Sequence, residues 1–320
     1  MPLPQAVSAL VTDRLSAVDA ALPGFVTTLW VTGSAASGDW RPGRSDVDFV
    51  AATSRVPELA DLEVLAALHA AGGETHYDGL YVAEADLAAP PAAEEPAAHV
   101  VNGEFGTGRC GYCTPPAWLE LRQDGIPVRG PAPATMVAAP EPAALRAWLL
   151  GNLRGYWSGE AAHVERVAAG RPAGAAIGGE PVVWMTLGAP RLHATLTTGE
   201  ILSKTATGAY VAEHFPAYAE LAGRCVAWRA GEDVPFTFAD GLAAAALVRT
   251  VVSAAERPGS TSAQLSAAKA AVLSTVRTTF HRTQAVSNAS RAAAGSAVPA
   301  AASRSLSGTL TAIVTPSTSR

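Results

Sequence analysis

The chain has 320 residues, 49% of them hydrophobic and only 16% charged, with a formal net charge of −5. That length suffices for two domains with buried cores, and the composition excludes a disordered chain or a disulfide miniprotein. No run approaches the roughly 18 uninterrupted apolar residues of a membrane span. Asp13, Arg14 and Asp19 interrupt the apolar positions of the first segment, so no secretory leader is read there and a cytoplasmic location is expected. The three cysteines, Cys110, Cys113 and Cys225, cannot all pair, which fits a reducing compartment. Cys110 and Cys113 form one CxxC that runs into Pro115 and Pro116. A metal site would need further ligands, and a redox motif a strand before it and a helix after it, so the pair reads as loop cysteines.

In chain order, Val7, Leu10, Val11, Leu15, Val18 and Leu22 recur at helical spacing and predict an amphipathic helix over residues 4–22. Phe25 to Thr32 is a β-branched run that predicts a strand. A second strand is expected from Asp46 to Ala52, a helix from Pro57 to Ala70 and a third strand from Gly79 to Ala83. The stretch from Ala88 to Ala98 reads as a loop, Trp118 to Gln123 as a short helix, and Ile126 to Val128 as an edge strand. The Pro- and Ala-rich segment 131–143 is the expected linker. Beyond it, helical patterns near 141–158, 181–197, 203–214, 217–230 and 239–256 predict a helical bundle without strands. All 28 acidic residues lie before residue 257, and the last 64 residues carry seven basic ones scattered through Ala, Ser and Thr. The expected organisation is a domain over 1–135, a helical domain over 136–256 and a basic tail over 257–320, part of it (262–280) with helical spacing. Seven scattered charges make no dense patch, so a nucleic-acid partner is not expected, and the lack of a long apolar run gives the same expectation for a membrane.

The chemistry concentrates in residues 33–50, GSAASGDWRPGRSDVDFV. Gly33-Ser34 follows a strand, where backbone N–H groups and a hydroxyl approach a phosphate closely and a following helix adds its positive end. Thirteen residues after Gly33, Asp46 and Asp48 lie two apart in a strand. Both carboxylates then point to one side, while Val47 and Phe49 face the core. Two neighbouring carboxylates repel unless a divalent cation lies between them, and hard oxygen ligands with open positions suit Mg²⁺ or Mn²⁺ carrying a triphosphate.

A Gly-Ser followed by ten residues and then Ser-Asp-x-Asp-Phe resembles the signature of the nucleotidyltransferase superfamily, which includes DNA polymerase β. Within it the chain is similar to the streptomycin/spectinomycin 3''-adenylyltransferases and their relatives. The supporting stretches are TPPAWLELRQDGIPVRGP (114–131), LLGNLRGYW (149–157) and WMTLGAPRLHATLTTGEILSKTATGAYVAEHFPAY (184–218). The resemblance implies an α+β chain, with an N-terminal α/β nucleotidyltransferase domain and a C-terminal helical bundle. It implies that ATP binds with its phosphates at Gly33, Ser34 and Ser45, and that Asp46 and Asp48 hold Mg²⁺ or Mn²⁺. AMP then passes to a hydroxyl of a small molecule such as an aminoglycoside, and pyrophosphate leaves.

A third carboxylate serves as ligand or general base in such enzymes. Asp78 is the candidate, with Glu74, Glu84 and Asp86 close in sequence. Among 21 arginines and two lysines, Arg191 and Lys204 match positions that contact nucleotide phosphates. Trp157, Trp184, His193 and Tyr210 fit either core or pocket wall. The stretch AAIGGEPVVW departs from the streptomycin-modifying pattern, with Glu180 its only acid and Pro181 where an aspartate is expected; Glu94-Glu95 and Glu160 are the other acids available to a cationic acceptor. Two other readings stay open: a nucleotide-binding regulatory or antitoxin-like module, and an enzyme that nucleotidylates a protein hydroxyl.

Overall fold

A computed structural model describes residues 2–73, 75–88, 97–108, 110 and 112–257. The basic tail beyond Arg257 with its helical stretch, the Glu94-Glu95 pair, Glu74 and most of the loop after Ala88 lie outside the described residues. The chain divides into two compact units, with the described boundary between Tyr156 and Trp157.

The first unit is built on a six-stranded mixed sheet. Helix α1 (Gln5–Ala21) leads into β1 (Val26–Thr32), followed by the single turn α2 (Gly33–Ala36), β2 (Val47–Thr53), α3 (Leu59–Ala70) and β3 (Tyr77–Ala83). A hairpin of β4 (Ala98–Val101) and β5 (Glu104–Gly106) precedes α4 (Pro115–Asp124), β6 (Ile126–Arg129), α5 (Pro133–Met136) and α6 (Pro142–Asn152). The strand order is β5-β4-β3-β2-β1-β6. Only β2 and β3 run parallel, joined by α3 as the crossover. Every residue of β2 and β3 is buried, because the sheet is covered on both faces. On one face Val7, Val11 and Val18 of α1 and Leu65 of α3 pack on Val47, Phe49, Tyr77 and Tyr81. On the other, Trp30, Val50, Ala52, Leu80 and Val82 meet Trp118 and Leu121 of α4 and Val137 beyond α5.

Two sequence expectations differ here. The hairpin β4–β5 replaces the end of the expected loop at residue 98. Segment 131–143, read as a linker, belongs in part to the core: Val137 is 2% exposed, and Trp30 Nε1 donates to the Pro131 carbonyl at 2.8 Å.

The second unit is helical: α7 (Ser158–Ala168), α8 (Gly179–Thr198), α9 (Lys204–His214), α10 (Ala219–Arg229) and α11 (Phe238–Glu256). It also carries a two-residue ladder of β7 (Ala176–Ile177) with β8 (Phe236–Thr237), which the bundle expectation lacked. The single helical pattern read over 141–158 is interrupted by a π-turn at Leu153–Trp157, from which α7 continues. Gly188 lets α8 pack against Trp157, since a Cβ there would lie 2.1 Å from the indole. Among the described residues only α11 is long and apolar enough to cross a membrane by length and composition. Its Leu247, Val248 and Val251 are fully buried in this unit.

Each unit buries one histidine in a hydrogen bond to a tyrosine, His69 Nε2 with Tyr81 Oη at 2.9 Å and His193 Nδ1 with Tyr210 Oη at 2.8 Å. Burial pushes both imidazoles down to about 4. The unfolded rings take up protons near pH 6.5, so the stability they confer is complete above that value and is lost as pH falls towards 4. Each ring is expected to remove about 1 kcal/mol per pH unit in this window. Thermal melts at pH 7 and pH 5 check this: the difference should shrink in His69→Gln and in His193→Gln, and an unchanged difference in both would contradict it.

Candidate active site

The site lies where β1, β2 and β3 end or begin on one side of the sheet. Thr32 at the end of β1 faces Asp48 across the antiparallel pair, and Asp48 in turn lies beside Asp78 in the parallel pair. Residues side by side in adjacent strands project to the same face, so Asp48 and Asp78 share one, and Asp46, two residues before Asp48, belongs with them. All three are buried, at 6% exposed for Asp46, 1% for Asp48 and 3% for Asp78. The expected alternation of β2 holds, but the carboxylate face is no open surface: beyond Asp48 it continues into the apolar cluster of Val50 and Ala52.

Gly33 lies against Asp48. Its φ is +63°, and a Cβ built there would lie 2.1 Å from Asp48 Oδ2. Glycine is therefore required both by the backbone and by the carboxylate that lies against it. The helix expected to follow is only the single turn Gly33–Ala36, too short to add a useful dipole. The contribution of Ser34 is its hydroxyl, which is buried and has no hydrogen-bond partner among the described residues. Ser45 acts locally, its Oγ accepting from the Arg41 amide at 3.1 Å and so closing the loop that delivers Asp46.

Asp78 is held by groups that the sequence reading missed. The amides of Asn102 and Gly103 donate to its Oδ2 and Oδ1, each at 2.8 Å. Both residues have positive φ, 53° and 77°, as in the tight Asn-Gly turn that joins β4 to β5. Burial pushes the Asp78 carboxyl up; the Gly103 and Asn102 amides pull it back, the Asp46 charge adds to the rise and His76 opposes it. His76, also missed, precedes β3 and has a buried Nδ1 without a hydrogen-bond partner among the described residues. Glu84 and Asp86 follow the opposite end of β3, about 20 Å along the strand at ~3.3 Å per residue. Glu84 accepts from Thr27 Oγ1 at 2.7 Å there.

Arg191 and Lys204 belong to the helical unit. Arg191 is buried in α8, and its Nε donates to the Leu202 carbonyl at 2.6 Å, tying the helix to the segment before α9. Lys204 opens α9 behind the N-cap Ser203, with its Nζ 5.2 Å from the centre of the Trp184 ring. The Glu180 carboxyl is pushed up by partial burial and drawn down by Lys204. Trp157 is core, as are His193 and Tyr210, with Tyr210 Oη also 2.9 Å from Thr197 Oγ1. Glu160 lies in the first turn of α7.

Residues 15–86, which contain Gly33, Ser34, Asp46, Asp48 and Asp78, match the family model of the nucleotidyltransferase domain. The chain carries a nucleotidyltransferase domain. That domain is one of the nucleotidyltransferase class of enzymes. A spectinomycin adenyltransferase AAD(9) from Enterococcus faecialis, solved with ATP and spectinomycin, aligns with a TM-score of 0.55 at 12% identity, covering 76% of this chain and 99% of its own. No curated protein matches the sequence.

The nucleotidyltransferase domain has donors suited to a divalent cation. Asp46 and Asp48 are hard oxygen ligands in a buried setting, where two like charges gain most from a cation between them. No group of three or more His, Cys, Asp or Glu side chains is placed to hold a metal among the described residues. The two aspartates therefore fit an ion whose other ligands come from phosphate and water.

Proposed function

We propose that the enzyme transfers AMP from ATP to a hydroxyl of a small acceptor, with Asp46 and Asp48 as ligands of Mg²⁺ or Mn²⁺. The observation that carries this reading is the grouping of Asp46, Asp48 and Asp78 on one face of β2 and β3, with Gly33 against Asp48. A bound divalent ion supplies neutralisation of the phosphate charge at attack and departure. Gly33 and Ser34 would meet a phosphate through a backbone amide and the Ser34 hydroxyl, whose oxygen is buried without a hydrogen-bond partner among the described residues. Asp78, fixed through both oxygens by the Asn102–Gly103 turn, keeps lone pairs to take the proton of the attacking hydroxyl. Its rise from burial moves it towards the range in which a general base works.

Lys204 and Arg191 are proposed as cations for the triphosphate. Arg191 is buried and bonds the Leu202 carbonyl, whereas Lys204 is half-buried at the start of α9, so Lys204 is the first of the two to substitute. Lys204→Ala is expected to raise the KM for ATP about tenfold or more with a smaller change in kcat, the loss of one charge-assisted contact being worth ~1.5–3 kcal/mol. An unchanged KM would remove Lys204 from the nucleotide site.

An aminoglycoside is the first acceptor to test, because the structural neighbour binds spectinomycin; turnover with one would make antibiotic resistance the physiological role. Pyrophosphate release from ATP and Mg²⁺ is measured against streptomycin, spectinomycin and other aminoglycosides, with Asp46→Asn as the blank. Turnover above the blank supports the reading. Silence with calorimetric ATP binding directs the search to other hydroxyls, including protein side chains, and absence of ATP binding overturns it.

A further inference from the structure

Nothing proposed above uses the pair Cys110 and Cys113. The structure supplies the setting that their sequence flank did not promise. Strand β5 ends at Gly106 before them, and α4 starts at Pro115 directly after them, capped by Thr114. The Cys113 amide donates to the Cys110 carbonyl at 3.4 Å, which brings the two cysteines together. Residues joined by such a bond from i+3 to i have Cα atoms within ~7 Å, overlapping the range of about 4.4–6.8 Å that a disulfide spans. The Cys113 thiol hydrogen-bonds to the Cys110 sulfur and holds Cys110 below the ordinary thiol value; burial opposes this, and the Tyr112 and Cys113 amides add to it. Cys225 is the contrast within the same chain: it lies in the core of the helical unit, and burial pushes it up to about 12.

We propose that Cys110 and Cys113 form an oxidant-sensitive dithiol that a peroxide converts to an intramolecular disulfide. The class of oxidant follows from access, since Cys110 is 1% exposed and Cys113 is 4% exposed beside Trp118 and Leu121, which favours a molecule of hydrogen peroxide's size over a protein or peptide disulfide. The Cys110 thiolate attacks one peroxide oxygen; the O–O bond breaks, a sulfenic acid forms on Cys110, and the hydroxide released takes up a proton as water. The Cys113 sulfur then attacks the sulfenic sulfur; the S–S bond forms, the S–O bond breaks, and the hydroxide leaves as a second water with the Cys113 proton. In sum, two thiols lose two electrons and two protons and one peroxide becomes two waters. This site is independent of the transfer reaction, although α4, which starts beside it, packs on the turn that carries Gly33 and Ser34.

The test uses the full chain, treated with hydrogen peroxide under native conditions and read by intact mass and peptide mapping. The expected result is a loss of two hydrogens, a peptide link between Cys110 and Cys113, reversal by dithiothreitol, and Cys225 modified at least about tenfold more slowly, because its thiol is pushed up and not down. In Cys113→Ser the link cannot form, and a sulfenic acid on Cys110 should be trapped by dimedone. Three thiols still reduced in the folded wild type, oxidation of Cys225 first, or only intermolecular links would each overturn the proposal. Because the wild type alone decides the matter, poor folding of the variant leaves the test intact.

Discussion

Asp48→Asn is expected to lower nucleotidyl transfer by about a thousandfold or more while leaving the metal-free fold at least as stable as the parent. The transfer loss follows from removing one of the two proposed anionic ligands of a cation that would supply several kcal/mol at the transition state, at ~1.36 kcal/mol per factor of ten. The stability gain follows from the same burial. Asp48 is 1% exposed in a face that it shares with Asp46 and Asp78, where the Asp46 charge already raises the buried Asp78 carboxyl and a further like charge is costly. Asparagine keeps the shape and removes one charge, which should contribute about 1 kcal/mol and raise the melting temperature in EDTA by a few degrees. Adding Mg²⁺ and ATP should stabilise the parent much more than the variant. Pyrophosphate release and paired melts check both halves. Undiminished transfer in Asp46→Asn and in Asp48→Asn would show that the metal assignment is wrong.

The second large effect is expected from the smallest substitution. Gly33→Ala places a methyl carbon 2.1 Å from Asp48 Oδ2 on a backbone with φ +63°. The left-handed conformation costs ~1–2 kcal/mol for an alanine, and the clash is relieved only by displacing Asp48 or the end of β1. Transfer should fall at least about a hundredfold, because small displacements of a carboxylate in the proposed metal site are enough to spoil alignment. The control is Gly24→Ala, with φ +71° but nothing within 4 Å of the added carbon. It carries the same backbone strain without the clash, so it should lose about 1 kcal/mol of stability and no activity. Equal activity losses in the two variants would mean that strain alone, and not contact with the carboxylate, accounts for the effect.

The fold of the first unit was largely legible because its central strands are long and apolar and its helices keep one spacing. β2, from Val47 to Thr53, and α3, from Leu59 to Ala70, fall within a residue or two of expectation. The hairpin was missed although HVVNGEF contains Asn-Gly between apolar residues, the strongest short-range hairpin signal. Its strands are only four and three residues long, and the Pro/Ala/Glu run before them drew them into a loop reading. Segment 131–143 misled for the opposite reason: its composition is that of a linker, while one well-placed valine, Val137, belongs to the core.

Within the site, the spacing of Gly33, Asp46 and Asp48 was readable because it is local. Asp78 could be named only on resemblance, since what separates it from Glu84 and Asp86 is its register beside Asp48, a long-range fact. The roles of His76 and of the Asn102 and Gly103 amides were invisible for the same reason. The last two are backbone groups, which no side-chain pattern reports.

The Asn102–Gly103 turn has a consequence for how this enzyme would fail when heated. Asp46 and Asp48 flank and occupy a strand paired on both sides, whereas the amides holding Asp78 hang from a hairpin whose outer strand, β5, comes last in the strand order among the described residues. Edges fray before centres. The hairpin would thus act as a fuse: gentle warming would open it, release the third carboxylate and silence turnover while the sheet and both of its apolar faces stayed intact. The interval between loss of turnover and loss of structure would then measure the grip of two peptide amides on one carboxylate.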